Sequence, residues 1–130
     1  MSKIRISPKF LWMESYLNEG IKLLSPKTII ARLGAWTKNT SRGTNCHAAI
    51  YQDKIGDPFR IWMHTHYYDE NNKAAQFSKI DLLEHLAHEL AHTESWTHTP
   101  KHKRLEAKIK IKFMHMLQSD GYVSEEDELK

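Results

Sequence analysis

The stretch Ser78-Lys79-Ile80-Asp81-Leu82-Leu83-Glu84-His85-Leu86-Ala87-His88-Glu89-Leu90-Ala91-His92 carries a helix start, a helix period and a metal motif in one run. Ser78 followed three residues later by Asp81 has the form of a capping box, with Asp where Glu is preferred, and sets a helix start near residue 79. Ile80, Leu83, Ala87 and Leu90 recur at helical spacing and fall on one side, with His88 and His92 on the other. Residues i and i+4 of a helix stand one above the other, so these two imidazoles can reach a single metal ion. Glu89 is offset from His88 by about 100° around the helix. There it can touch a water on that ion but is badly placed to bind the ion itself, which is the position of a general base. With nine histidines in the chain, a short H-E-x-x-H motif can arise by chance, so the cap and the period around it are what support a metal site.

Zinc in hydrolases usually takes three protein ligands and leaves its fourth position to water. His98 is the expected third ligand. Thr99-Pro100 supplies a capping residue followed by proline at a first helical position, so a new helix should begin there with His98 in the turn before it. His102 and Glu106, one and two turns into that helix, are competitors, and a glutamate would be chemically acceptable. His85 lies one turn before His88 and is expected to line the cleft or to support the ligands.

Working outward, residues 8–24 hold Pro8, Leu11, Met13, Tyr16, Leu17, Ile21 and Leu24 at mostly three- and four-residue spacing, which predicts a first helix ending before Ser25-Pro26. Residues 28–37 and 46–52 are rich in β-branched, aromatic and apolar side chains and read as strands, joined by a polar loop over 38–45. Gly56-Asp57-Pro58 forms a turn. Residues 59–68 then alternate Phe59, Ile61 and Met63 against Arg60, Trp62 and His64 as a third strand, with a polar loop over 69–75. The last helix should run from Pro100 to Gln118 and stop near Gly121, burying Leu105, Ile109, Phe113, Met116 and Leu117. Together these predict an α+β fold with an N-terminal helix, a three-stranded, mainly antiparallel sheet, the motif helix and a C-terminal helix. Residues 1–118 would form one domain, and the acidic tail over 119–130 would fray.

A chain of 130 residues can bury a core without disulfide staples, and its 40% apolar and 27% charged residues are ordinary for a globular protein. The single cysteine permits no internal disulfide, which suits a reducing compartment. The opening MSKIRISPKFLWM lacks the apolar run of a signal peptide, and nothing approaches the roughly 18 apolar residues of a membrane span. The expected location is cytoplasmic, in the cell's own or a host's cytoplasm, with no membrane partner.

Two groups of residues have both a bland and a functional explanation. Over 101–112, Lys101, Lys103, Arg104, Lys108, Lys110 and Lys112 stand against Glu106 alone. Such a block is commonly a solvated helix face with lysine stems covering apolar surface, and could instead make a weak nucleic-acid contact or meet an acidic protein. His64 and His66 share one face of the third strand, and either of them, Tyr67 or Tyr68 could stabilise an oxyanion beside the metal. Packed or solvated side chains are the commoner outcome.

The run HELAHTESWTHTPKHKRLEAKI, beginning at His88, resembles the SprT-like zinc metallopeptidases, the family that includes the Spartan proteases. Their pattern is H-E-x-x-H, a spacer, a third histidine and an aromatic about four residues later, where this chain has His102. Upstream, ARLGAWTKNTSRGTNCHAAIY is similar to the family's strand-turn-strand segment, with Gly43 and Cys46 at the turn glycine and the cysteine that follows it. The likeness covers roughly residues 8 to 118, specific in the metal segment and loose elsewhere. It implies a small zincin-like core with Zn2+ held by His88, His92 and His98, Glu89 as the catalytic residue, and peptide-bond hydrolysis in a protein substrate. With Cys46 alone, the four-cysteine zinc ribbon of many such proteins is not expected in this chain, and the family's association with DNA transfers weakly. The alternative is a metal-containing module that binds nucleic acid or protein through the basic last helix.

Overall fold

In the computed structural model, residues 4–36, 47–68, 71 and 73–121 are described, except for the side chains of Trp36 and Tyr68. The loop over 38–45, Gly43, Cys46, the side chain of Tyr68 and the tail from 122 onward therefore lie outside the described residues. Chain order is β1 (Arg5–Ile6), a 3-10 segment (Pro8–Met13), α1 (Glu14–Ile21), β2 (Ile30–Trp36), β3 (Ala48–Tyr51), β4 (Phe59–His64), β5 (His66–Tyr68), β6 (Ala74–Gln76), α2 (Lys79–Ala91) and α3 (Pro100–Ser119).

The architecture is α+β, as expected, but the sheet is not three-stranded or mainly antiparallel. Four strands lie in the order β1-β2-β4-β3, with β5-β6 as a separate pair. β1 runs parallel to β2, β2 parallel to β4, and only β3 is antiparallel, hydrogen-bonded to β4. The reason is connectivity. β3 and β4 are joined by the short turn that includes Gly56 at φ 95°, so they pair as a hairpin and leave the other edge of β4 to β2. Strands consecutive in sequence pair only about two-thirds of the time, and β2 and β3 do not. β1 is two residues long and leaves no periodic signal in the sequence. The expected strand over 59–68 breaks at Thr65, and β5 turns away to pair with β6, which begins inside the expected loop.

Leu33, Ile50, Ile61 and Met63 turn one face of the four-stranded sheet toward the helices. The opposite face is half-covered, with Trp62 lying against Gly34 and the Arg32 guanidinium 4.7 Å from the Trp62 ring. The expected first helix is split. Pro8 opens a 3-10 segment in which Phe10 and Met13, three apart, are both buried, and that spacing stacks them on one side of a three-residue turn. α1 follows and buries Tyr16, Leu17 and Gly20. At Gly20 an added Cβ would stand 2.8 Å from Leu90 Cδ1 and 3.2 Å from a Phe113 ring carbon, so glycine is what lets α1 come this close to α2 and α3.

α2 starts where the capping pattern places it, with Ser78 Oγ accepting from the Asp81 backbone N–H at 3.1 Å. It is more central than a one-sided helix. Leu82, Leu83, Leu86, Ala87, Leu90 and Ala91 are buried, while Ile80 is only partly so. α3 is capped by Thr99, carries Pro100 in its first turn, and buries His102, Ile109, Phe113 and Leu117. Gly121, at φ 86°, follows its end, where the Tyr16 hydroxyl donates to Asp120 Oδ2 and ties α1 to the last turn. No helix among the described residues is long and apolar enough to cross a membrane.

Candidate metal centre

α2 delivers His88 on its last full turn and ends with His92 as its C-cap residue. The chain then doubles back over 93–99, a turn held by hydrogen bonds within it and back to α2. The Thr93 hydroxyl donates to Leu90 O at 2.7 Å, the Ser95 hydroxyl donates to Thr97 O at 3.0 Å, and the Thr99 N–H donates to Thr97 O at 2.9 Å. Two outside contacts fix it further. Glu94 Oε1 accepts from the Ser25 N–H at 2.7 Å, and Trp96 lies on Phe59 with ring centroids 5.8 Å apart. The turn thus brings His98 back over the helix face that carries His88 and His92.

Four histidines, His88, His92, His98 and His102, offer ligand atoms that all lie within 4.8 Å of one another and could hold a metal ion. His88 Nε2 is 3.2 Å from His92 Nε2 and 3.1 Å from His98 Nε2. A tetrahedral ion with nitrogen ligands at about 2.0–2.1 Å spaces them about 3.3–3.4 Å apart, so these separations suit such an ion.

The hydrogen bonds behind the rings decide where their lone pairs point. His92 Nδ1 is 2.9 Å from Ser95 O, and a carbonyl can only accept, so Nδ1 carries the proton and Nε2 of the neutral ring is bare. His88 Nδ1 is likewise committed to Glu106 Oε1 at 2.8 Å, which turns its Nε2 lone pair inward. Two bare nitrogens at such separations repel unless a cation or proton lies between them. Donation of the outer N–H to a carboxylate or a backbone carbonyl is also the arrangement that fixes ring orientation and raises ligand basicity at metal sites.

Glu106 thereby stands behind His88, while His102, whose Nε2 is engaged elsewhere, keeps a buried and unpartnered Nδ1 among the nitrogens that could hold the ion. Burial pushes the Glu106 carboxyl up, but hydrogen bonds from Lys110, 3.0 Å away, and from His88 outweigh it and hold the group below the ordinary carboxylate range. His102, 1% exposed, donates Nε2–H to the His88 carbonyl at 3.1 Å and packs against His92 with ring centroids 4.2 Å apart. It braces the metal helix from α3, and burial is the main reason its imidazole is lowered. The sequence offered a signal for Glu106 that composition alone hides, since it is the lone acid in a cationic block and stands one helical turn after His102.

Glu89 is 7% exposed, and burial, then the Glu106 charge, raises its carboxyl to about 7. No hydrogen bond or ion pair reaches it among the described residues, so it is a carboxylate without a structural task beside the converging imidazoles. The other sequence candidates have different surroundings. His66 is exposed and paired with Thr65 Oγ1 at 2.8 Å, Tyr67 packs on Phe77, and His64 is buried with its backbone N–H donating to His47 O. His85 stacks on His47, a neighbour that sequence reasoning did not foresee, because the two are brought together only by the packing of α2 against β3.

Neither a family model, nor a curated protein, nor a solved structure matches this chain.

Proposed function

We propose that the chain is a zinc-dependent metallopeptidase of SprT-like type, with a zincin-like core, that hydrolyses peptide bonds in a protein substrate. The observation that carries this is the convergence of three imidazole nitrogens, two with lone pairs directed inward by outer hydrogen bonds, beside an uncommitted carboxylate on the same helix. His88, His92 and His98 would hold zinc. Bound there, zinc would lower the pKa of its water from 15.7 to about 7 and polarise the substrate carbonyl. Glu89 accepts the proton of the attacking water and returns it to the leaving amine, so one carboxyl serves both halves of the reaction. Glu106 and the Ser95 carbonyl hold His88 and His92 in the tautomers that face the centre. The exposed ring of His98 leaves the site open on one side, as a substrate requires.

Zinc content and cleavage of a reduced, carboxymethylated protein test this directly. Wild type should hold one zinc and cut, Glu89→Gln should hold zinc without cutting, and His98→Ala should lose affinity for the metal.

A second function has its own support. Lys101, Lys103, Arg104 and Lys108 are exposed on α3 and make no ion pair among the described residues, whereas Lys110 is engaged by Glu106 and Lys112 by Glu19. Such a face could bind nucleic acid or an acidic protein. A nucleic-acid contact through it predicts affinity for duplex DNA that falls steeply with salt, and flat millimolar binding would remove it.

A further inference from the structure

One turn before the metal motif, His85 projects from the same arc of α2 as His88, Glu89 and His92. At 100° per residue it lies about 20° from His92 and about 40° from Glu89 around the axis. Residues three and four apart on a helix are surface neighbours, about 5–6 Å between Cβ atoms, so His85 adjoins both His88 and Glu89.

Its ring is held from two sides. His47, just before the edge strand β3, stacks on it with centroids 5.6 Å apart and planes inclined by 23°, and Phe77 meets it edge-on at 4.8 Å. In both His85 and His47, Nδ1 is buried and meets no hydrogen-bond partner, while Nε2 is neither sealed in nor bonded among the described residues. Orphaned buried N–H donors are rarer than orphaned acceptors, so each ring is best accommodated with its hydrogen on Nε2 and a bare Nδ1 turned into the packing. The result is a donor with its hydrogen on Nε2, without an acceptor among the described residues and carried one helical turn before Glu89.

We propose that His85, with its ring held by His47 and Phe77, donates its Nε2–H to the carbonyl oxygen of the peptide bond that is cut beside Glu89. This rests on the peptidase function proposed above. As the attacked carbonyl becomes tetrahedral, charge gathers on its oxygen, and a donor already in place strengthens its bond at that moment without reorganising. His85 is then a catalytic residue that touches the substrate, and His47 is a positioning residue that acts through it.

The test compares wild type, His85→Phe, His85→Gln and His47→Phe for zinc content, kcat and KM on a reduced, carboxymethylated protein, together with long-range proton–nitrogen NMR of the two rings. Loss of one such donor lowers kcat by about 10²–10³-fold in comparable sites. His85→Phe should show a fall of that order with KM and zinc content little changed, and His85→Gln, which keeps a donor, should recover part of it. His47→Phe should lose less than His85→Phe. NMR of the wild type, zinc-loaded or zinc-free, should show hydrogen on Nε2 of both rings. Unchanged kcat in His85→Phe, with wild type cutting, overturns the role of His85 and leaves the peptidase standing. An Nδ1–H tautomer overturns it without any activity measurement, which also covers the case of a variant that does not fold. A zinc-loaded wild type that cuts nothing overturns both proposals.

Discussion

At the scale of single residues, the division of labour in the centre follows from which atoms can donate and which can only accept. His92 must protonate Nδ1 because Ser95 offers a carbonyl, and His88 donates to a carboxylate that Lys110 and His88 keep ionised. Removing that acceptor should loosen the metal without touching a ligand. Glu106→Gln is expected to weaken zinc affinity by about 10–100-fold, measured by competition with a chelator, while Glu106→Ala should do at least as much. Glu89→Gln should keep the zinc and lower turnover by about 10²–10⁴-fold, the usual contribution of a general base. His85 carries a prediction about pH. Its unfolded pKa is about 6.5 and burial lowers the folded value to about 4, so between those limits the unfolded chain binds the extra proton. The stabilisation is fully present above pH 6.5 and is lost as pH falls toward 4. Against wild type, His85→Phe should show a shallower loss of denaturant stability across that window, and parallel curves would contradict the burial of His85. That His88, His92 and His98 would come together was legible in the sequence, because helical spacing and the Thr99-Pro100 cap fix where those rings fall. Glu106 as an acceptor was not, since an outer partner needs only to be near in space.

At the scale of elements, the helix starts that a local cap specifies appear in the structure, whereas the split of the first helix, the break at Thr65 and the sheet order depend on packing and pairing with distant residues. The start of α2 at Ser78 and of α3 at Thr99-Pro100 were legible because a cap is a contact between residues two or three apart. The sheet order was not, because nothing in the composition of β2 says that β4 rather than β3 will lie beside it. The central position of α2 also exceeded its apolar period, since the histidine face is itself covered in part by α3 through His102 and Glu106. The close approach of α1 depends on Gly20. Gly20→Val should press on Leu90 and Phe113, both fully buried, and cost about 1–3 kcal/mol by overpacking, read as a lower urea midpoint with the slope unchanged.

At the scale of the whole molecule, the centre is where α2, the returning turn and α3 meet, so a bound ion would link elements that the buried core of sheet and helices already holds together. Any ligand that binds only the folded chain stabilises it by mass action, by about 2.7 kcal/mol at a hundred times its Kd. Removing zinc with a chelator should therefore lower Tm, and a Tm indifferent to zinc would contradict a site that forms only in the folded state. The central claim is that three imidazoles hold zinc and Glu89 performs the proton transfer. The most direct test is to measure zinc per chain and cleavage of an unfolded protein substrate side by side in wild type and Glu89→Gln. One zinc in each protein, with cleavage by wild type alone, is the result expected. A folded wild type that takes up no zinc when incubated with it, or a Glu89→Gln protein that cuts as fast as wild type, would contradict the account.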